Sequence, residues 1–193
     1  MDIKDVETQK PMSFPLAMLE LYCPVPLKKR ALRDLFSATA LAFGVEPPPT
    51  SGLSLGRLLQ AYAHFTREES ERLWAENRDQ GAVEKRLFEN ALELGTTLRR
   101  RFRIRSRNEV IRLSRVFYRI LGISFEGRAD GAVIIKYCAF SRFYTGRVCR
   151  LISALDAGAY AGMSGGGKLE FSQRITEGHD CCRGSLVFPE GSS

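Results

Sequence analysis

The stretch from Lys168 to Phe188 constrains the fold most, because its pattern of side chains fits two β-strands joined by a turn. Residues 168–175 alternate between apolar and polar side chains, which is the period of a half-buried strand. A turn follows at Gly178, since glycine adopts positive φ without steric cost. The second strand returns over Cys181–Phe188 and ends at Pro189, which cannot donate a ladder hydrogen bond.

A second hairpin is predicted upstream, with strands at 123–128 and 132–137 joined across Asp130-Gly131. The continuous apolar run Val133–Ile135 predicts that its second strand is central in the sheet. Residues 141–162 have helical periodicity and lie between the two hairpins. The order β-β-α-β-β, with helices on one face of an antiparallel sheet, predicts an α+β fold.

The N-terminal part has helical periodicity throughout. Pro26 is suited to the first turn of a helix, and Gly44 is suited to its end. Helices are predicted over 14–23, 26–43, 54–65, 66–74, 82–102 and 106–121, the fourth and sixth opening with capping-box patterns. We expect residues 1–10 to form a disordered tail, and we place a boundary near Gly122, between a helical region 1–121 and an α/β region 122–193.

The composition predicts a protein of a reducing compartment. The chain has 193 residues, and no apolar run approaches the roughly 20 residues that a membrane-spanning helix needs. Its acidic and polar N-terminus differs from a secretory signal. Five cysteines, an odd number with two adjacent, do not suggest a disulfide framework. We therefore expect a cytoplasmic location and reduced thiols.

Positive charge is concentrated in one stretch, residues 99–119. It contains nine arginines and a single acidic residue, Glu109, and its net charge of +8 exceeds the +7 of the whole chain. Such a stretch can bind nucleic acid phosphates, but it has few aromatic residues for stacking and no recognised nucleic-acid motif. A solvated helical face or a subunit contact is favoured over nucleic acid, and a homodimer is one such contact.

Three cysteines are candidates for chemistry, namely Cys138, Cys149 and Cys182, because the predicted topology can bring them to one end of the sheet. A divalent metal such as zinc, with His179 as a fourth ligand, is one interpretation, although the CxxC pairs common in zinc sites are absent. A nucleophilic thiol is another, since Cys138 precedes a predicted helix whose dipole favours a thiolate. The third interpretation is inert packing, because buried cysteines commonly behave as small hydrophobic residues.

Charged residues near the last hairpin are candidates for substrate binding. Glu170 and Arg174 are predicted to share one face of a strand, where an arginine can bind a carboxylate through two hydrogen bonds. A plain solvent-facing surface is the alternative. His179 lies at the turn, and Asp156 is placed to pair with Arg150 or Arg174.

The C-terminal half, about 122–188, resembles the L-2-amino-thiazoline-4-carboxylate hydrolase family. The resemblance rests on a strand that leads to a cysteine, a helix with a second cysteine followed by an aspartate, and a closing hairpin that reads roughly R-x-x-x-x-x-G-x-x-x-C. In this sequence those positions are Cys138, Cys149, Asp156, Arg174, Gly178 and Cys182, with three residues rather than five between Arg174 and Gly178. Asp156 lies seven residues after Cys149, farther than in the family, and Arg183 stands where the family has an acidic residue. The layout is also similar to the 4-vinyl reductase type of small-molecule-binding domain.

The resemblance implies hydrolytic opening of a small heterocycle that carries a carboxylate. It implies that Arg174, with Glu170 and His179 nearby, binds the substrate and that Asp156 orients a base or a water molecule. The three cysteines would supply thiol or metal-linked chemistry. Two alternatives stay open: a small-molecule-binding or sensory module without turnover, and an interaction protein that uses the basic helices at 99–119.

Overall fold

A four-stranded antiparallel sheet forms one layer of the protein in the computed structural model, which describes residues 14–189. The strands are β1 Ile123–Gly127, β2 Ala132–Cys138, β3 Lys168–Gln173 and β4 Cys182–Val187, in the spatial order β1-β2-β4-β3. Both predicted hairpins are present, and β2 is central, with Ile135 paired to Cys182 of β4. The α+β class is confirmed.

Six helices are present in the described part of the chain. They are α1 Phe14–Leu21, α2 Val25–Phe43, α3 Leu55–Ala75, α4 Gln80–Phe102, α5 Arg107–Ile120 and α6 Gly146–Ser164. The α5 capping box is formed: the Ser106 hydroxyl accepts from the Glu109 N–H, and Glu109 accepts from the Ser106 N–H. Gly44 ends α2 in the left-handed conformation that the sequence predicts. None of these helices is long and apolar enough to cross a membrane. The tail predicted at 1–10 lies outside the described residues.

The central contact of the fold is between α4 and α6, which pack backbone to backbone. A Cβ added at Gly158 or Gly162 of α6 would lie 2.1 Å from the Phe88 carbonyl oxygen or 2.3 Å from the Leu92 carbonyl oxygen. A Cβ at Gly95 of α4 would lie 2.2 Å from a carbonyl oxygen of α6. Only glycine permits this approach, which sets the position of α6 between α4 and the sheet.

One continuous hydrophobic core extends from Leu16 of α1 to Leu186 of β4. Alternate residues of the strands, including Val133 and Ile135, face the helices and are buried. The opposite face of the sheet is exposed and carries side chains such as Lys168 and Glu170. The described residues of the two predicted regions, 14–121 and 122–189, therefore share one core.

Two predicted helix starts are wrong. Residues 54–74 form one helix rather than two, because the Thr66 hydroxyl is buried and donates to the Tyr62 carbonyl oxygen at 2.8 Å. The Thr66 hydroxyl was predicted to cap a new helix, but it bonds instead to a backbone carbonyl oxygen one turn earlier in the same helix. The helix predicted from Ser141 begins at Gly146, where Thr145 caps it, and a 3₁₀ turn at Ala139–Arg142 precedes it.

The predicted alternation in the last hairpin holds only as far as Phe171. The register with β4 shifts between Phe171 and Gln173, which inserts one residue into the alternation. As a result Arg174 leaves the outer face on which Glu170 lies, and only 14% of its side chain is exposed. The prediction that these two residues share a face is therefore wrong.

Candidate functional site

The three candidate cysteines lie at the same end of the sheet, beside the N-terminal half of α6. Cys138 is the last residue of β2, and Cys182 is the first residue of β4. Cys182 pairs with Ile135, which lies three residues before Cys138 in β2. Cys149 lies in the first turn of α6, where its N–H donates to the Thr145 carbonyl oxygen. Cys182 is buried, and the other two are partly buried. The expectation that the topology brings them to one end of the sheet is met.

Asp156 is the central ionisable group of this region. Its Oδ1 accepts a hydrogen bond of 2.9 Å from the Tyr118 hydroxyl of α5. Burial raises the pKa of Asp156 from 3.8 to about 6, against smaller opposing effects of the Tyr118 hydrogen bond and the Arg174 charge. Tyr118 is held in place by stacking on Phe125 of β1, with ring centroids 4.7 Å apart. A carboxyl group whose pKa approaches neutrality can exchange a proton under physiological conditions.

The charge of Asp156 links these residues into one group. It contributes to a raised pKa at Cys138, Cys149 and Cys182, so the carboxylate lies within electrostatic reach of all three thiols. We call the following residues the thiol–aspartate cluster: Tyr118, Cys138, Cys149, Asp156, Arg174 and Cys182. Its members come from α5, β2, α6, β4 and the segment after β3, which places residues far apart in sequence around one carboxyl group.

The thiols of the cluster are neutral at pH 7. Burial raises the pKa of Cys138 to about 12, and burial is also the largest cause of the raised pKa at Cys149 and Cys182. The thiolate predicted for Cys138 from a helix dipole is not supported, because α6 begins eight residues later, at Gly146. A thiol of this kind is a poor nucleophile at rest.

Arg174 supplies the positive charge of the cluster. Its charge lowers the pKa of Asp156, Cys149 and Cys182, in each case against a larger effect of burial. Its Nε lies 3.7 Å from Glu177 Oε1, and that oxygen accepts a shorter hydrogen bond, 2.7 Å, from Arg150 Nε. Of the two predicted partners of Asp156, Arg150 thus pairs with Glu177, and Arg174 acts on Asp156 through its charge.

Two predicted substrate-binding residues lie outside the cluster. Glu170 is exposed on the outer face of β3, on the side of the sheet that the helices do not cover. His179 is exposed in the turn before β4, and its charge helps to lower the pKa of Glu177.

The described residues do not form a metal site. Within residues 14–189, no group of three or more His, Cys, Asp or Glu side chains is arranged to hold a metal ion. The predicted zinc site with His179 therefore lacks a fitting set of ligands.

Two residues of this region were missed by the sequence reasoning. Tyr118 was not among the candidate residues, yet it is buried, more deeply than Phe117 and Ile120 of the same helix. The sequence does carry a signal for Tyr118. It lies seven residues, or two helical turns, after the apolar Ile111, so the two side chains share one face of the helix. The second residue is Thr176, whose buried hydroxyl lies beside Cys149 and partly offsets the raised pKa of that thiol. Thr176 follows the bulge after β3, and no periodic pattern in the sequence indicates its position.

We expect the cluster thiols to react slowly with Ellman's reagent in the native protein at pH 7. Only a thiolate attacks the disulfide of the reagent, and burial keeps Cys138, Cys149 and Cys182 protonated. The protein with Cys181→Ser, which lacks the half-buried thiol next to the cluster, should show slow reaction that accelerates with pH. All of its remaining four thiols should react rapidly in urea. A cluster thiol that reacts faster in the folded protein than in urea would contradict this prediction.

The sequence matches none of the known protein-family models, and no curated protein matches it significantly. The resemblance to L-2-amino-thiazoline-4-carboxylate hydrolases therefore stays a prediction.

Proposed function

We propose that this protein is a hydrolase that opens a small heterocycle bearing a carboxylate, and that the reaction takes place at the thiol–aspartate cluster. The observation that carries the proposal is the raised pKa of Asp156, about 6, next to the positively charged Arg174. A desolvated carboxyl group beside a specific charge partner is typical of functional sites. The resemblance of 122–188 to L-2-amino-thiazoline-4-carboxylate hydrolases supports the substrate class.

In this proposal Asp156 is the general base. With a pKa of about 6 it is mostly ionised at pH 7 while remaining a stronger base than an exposed aspartate. The hydrogen bond from the Tyr118 hydroxyl fixes the orientation of the carboxylate. Asp156 would accept a proton from the attacking water molecule and return it to the ring heteroatom that leaves.

Arg174 would bind the substrate carboxylate. Its guanidinium is mostly buried, with Phe171 against it and Glu177 at 3.7 Å, and within residues 14–189 it donates no hydrogen bond that meets normal geometry. Glu177 is already bound to Arg150 at 2.7 Å, which leaves the donors of Arg174 available. A planar guanidinium can bind a carboxylate through two parallel hydrogen bonds.

The test is turnover of L-2-amino-thiazoline-4-carboxylate, with the ring-opened product followed by mass spectrometry. We expect Arg174→Lys to raise KM at least about tenfold, because lysine cannot reproduce two-point binding of a carboxylate. Arg183→Lys is the matched control, since Arg183 is exposed on β4 and lies outside the cluster. Absence of turnover by the unmodified protein would exclude this substrate. Equal effects of the two substitutions would remove Arg174 from the site.

A second candidate function is a small-molecule-binding or sensory module without turnover. Two observations favour it: the cluster thiols are neutral, and no set of metal ligands is found among residues 14–189. Asp156 is then the main reactive group of the cluster. This alternative predicts that carboxylate-bearing ligands raise the melting temperature while no product forms. A cytoplasmic location and a homodimer stay predictions, and sedimentation velocity tests the latter.

A further inference from the structure

The basic stretch 99–119 divides into two parts with different surroundings. The later part holds α1 against α5: Arg115 lies 3.0 Å from the Glu20 carboxylate. Arg119 donates to the backbone carbonyl oxygens of Glu20 and Leu19 at 2.7 and 2.6 Å. These arginines therefore have a structural role in holding α1 against α5.

The earlier part lines a cavity of about 530 Å³ between the C-terminal ends of α4 and α6. Four arginines contribute to its wall, namely Arg99, Arg100, Arg103 and Arg105, and no acidic residue does so among the described residues. Arg99 donates to the Met163 carbonyl oxygen at 3.3 Å, and none of the four forms a salt bridge within residues 14–189. Glu109 accepts a hydrogen bond of 2.9 Å from the backbone N–H of Arg105, but no carboxylate of the described residues pairs with any of the four guanidinium groups.

The backbone at Arg103 adds an independent observation. Arg103 ends α4 in the left-handed conformation, with φ +52°, at a position where glycine is usual. A side chain there costs free energy, and such outliers cluster at ligand sites. In this chain the residue that occupies the strained position is one of the four arginines that line the cavity.

Apart from Thr96, the remaining wall is apolar, formed by Leu92, Ile104 and Ala161 and by the glycines at the end of α6. A ligand that fits both parts carries anionic groups at one end and an uncharged organic portion at the other. The cavity volume lies within the usual range for small-molecule sites, about 300–1,000 Å³. Arginine is suited to phosphate because its planar fork matches two phosphate oxygens.

We propose that this cavity binds a small organic phosphate of about the size of a nucleotide. The arginines bind the phosphate groups, and the apolar wall contacts the organic portion. The cavity involves the C-terminal end of α6, whereas the thiol–aspartate cluster lies along its N-terminal half and middle. This proposal is thus independent of the hydrolase activity, and either one can fail without the other.

The experiment is isothermal titration of the full chain with ATP and with inorganic pyrophosphate, at 50 and 200 mM NaCl. We expect both compounds to bind, ATP more tightly because it also contacts the apolar wall, and both more weakly at the higher salt concentration. Arg100→Gln should weaken ATP binding about tenfold or more, as expected for loss of a hydrogen bond between charged groups. Arg128→Gln is the charge-matched control, since Arg128 is exposed in the β1–β2 turn, and it should leave the affinity within about twofold.

Arg103→Gly separates a binding role from a structural one. Glycine relieves the left-handed conformation, so the melting temperature should stay equal or rise while ATP affinity falls about tenfold. The proposal is overturned if neither ATP nor pyrophosphate binds, or if Arg128→Gln weakens binding as much as Arg100→Gln. It is also overturned if a 20-nucleotide single-stranded DNA binds more tightly than ATP, an outcome that would instead support a nucleic-acid surface.

Discussion

Gly158→Ala should destabilise the protein by about 3 kcal/mol or more, one of the largest effects expected of any single methyl group in this chain. The added Cβ would lie 2.1 Å from the Phe88 carbonyl oxygen and 2.9 Å from its carbonyl carbon. These are backbone atoms of α4, so no side-chain rotation relieves the overlap. The two helices must separate instead, and their separation disturbs the packing of α6 on the sheet. Urea unfolding, followed by circular dichroism, measures the loss.

Gly56→Ala is the matched control for this prediction. Gly56 is also helical, near the start of α3, but a Cβ there meets nothing within 4 Å. We expect this change to be neutral or to stabilise the protein by up to about 0.5 kcal/mol, because alanine favours a helix over glycine. If Gly158→Ala costs no more than 1 kcal/mol relative to this control, the close contact between α4 and α6 does not determine stability.

Local signals in the sequence predicted most of the secondary structure. The Asp130-Gly131 turn and the alternation at 168–171 identified the two hairpins, and Ser106 with Glu109 identified the start of α5. Each of these signals depends on residues a few positions apart, which share a turn or a face of one element. The class and the order of the elements follow from them.

Contacts between elements were not predictable in the same way. Gly158 and Gly162 lie in the helix predicted at 141–162, and nothing in the sequence around them shows that they permit the contact with α4. The bulge after Phe171 arises from pairing with β4, and it moved Arg174 from the predicted outer face to the cluster. Thr66 resembled a cap because its sequence context does not show that it is buried inside α3.

The sequence predicted which residues come together in the candidate site better than it predicted the role of each residue. The cysteines and Asp156 do come together, but the neutral state of the thiols and the raised pKa of Asp156 depend on burial, which a sequence does not report. Tyr118, which donates a hydrogen bond to Asp156, comes from the helical region, outside the stretch that carries the family resemblance. Glu170 was expected near the substrate because it was predicted to share a strand face with Arg174, and His179 was expected there from its position at the turn, yet both are exposed.

Asp156→Asn should abolish most hydrolytic activity and at the same time stabilise the protein at neutral pH. The loss of activity follows from the proposed role as general base and should be at least about 100-fold in kcat. The gain in stability follows from burial, because ionising a desolvated carboxyl group costs free energy in the folded protein. A pKa raised from 3.8 to about 6 corresponds to about 3 kcal/mol at most, with 1.4 kcal/mol per pKa unit.

The pH dependence of unfolding gives the same prediction a second readout. The folded protein binds the Asp156 proton more tightly than the unfolded chain, so this contribution to stability is full below pH 3.8 and is lost as pH rises through about 6. Between pH 5 and 7.5 the unmodified protein should lose about 1 kcal/mol more stability than Asp156→Asn. Urea unfolding at the two pH values measures the difference.

Asp180→Asn is the control, since Asp180 is exposed in the turn before β4 and should change neither activity nor the pH dependence of stability. If Asp156→Asn raises stability and removes activity, the charge of Asp156 serves the function of the protein and lowers the stability of its fold. If Asp156→Asn gains stability but turnover is unaffected, Asp156 is not the base and the reaction must use another group. If instead it loses stability at pH 7.5 and activity is unchanged, its hydrogen bond with Tyr118 is structural, and the proposal of a hydrolytic site at this cluster is wrong.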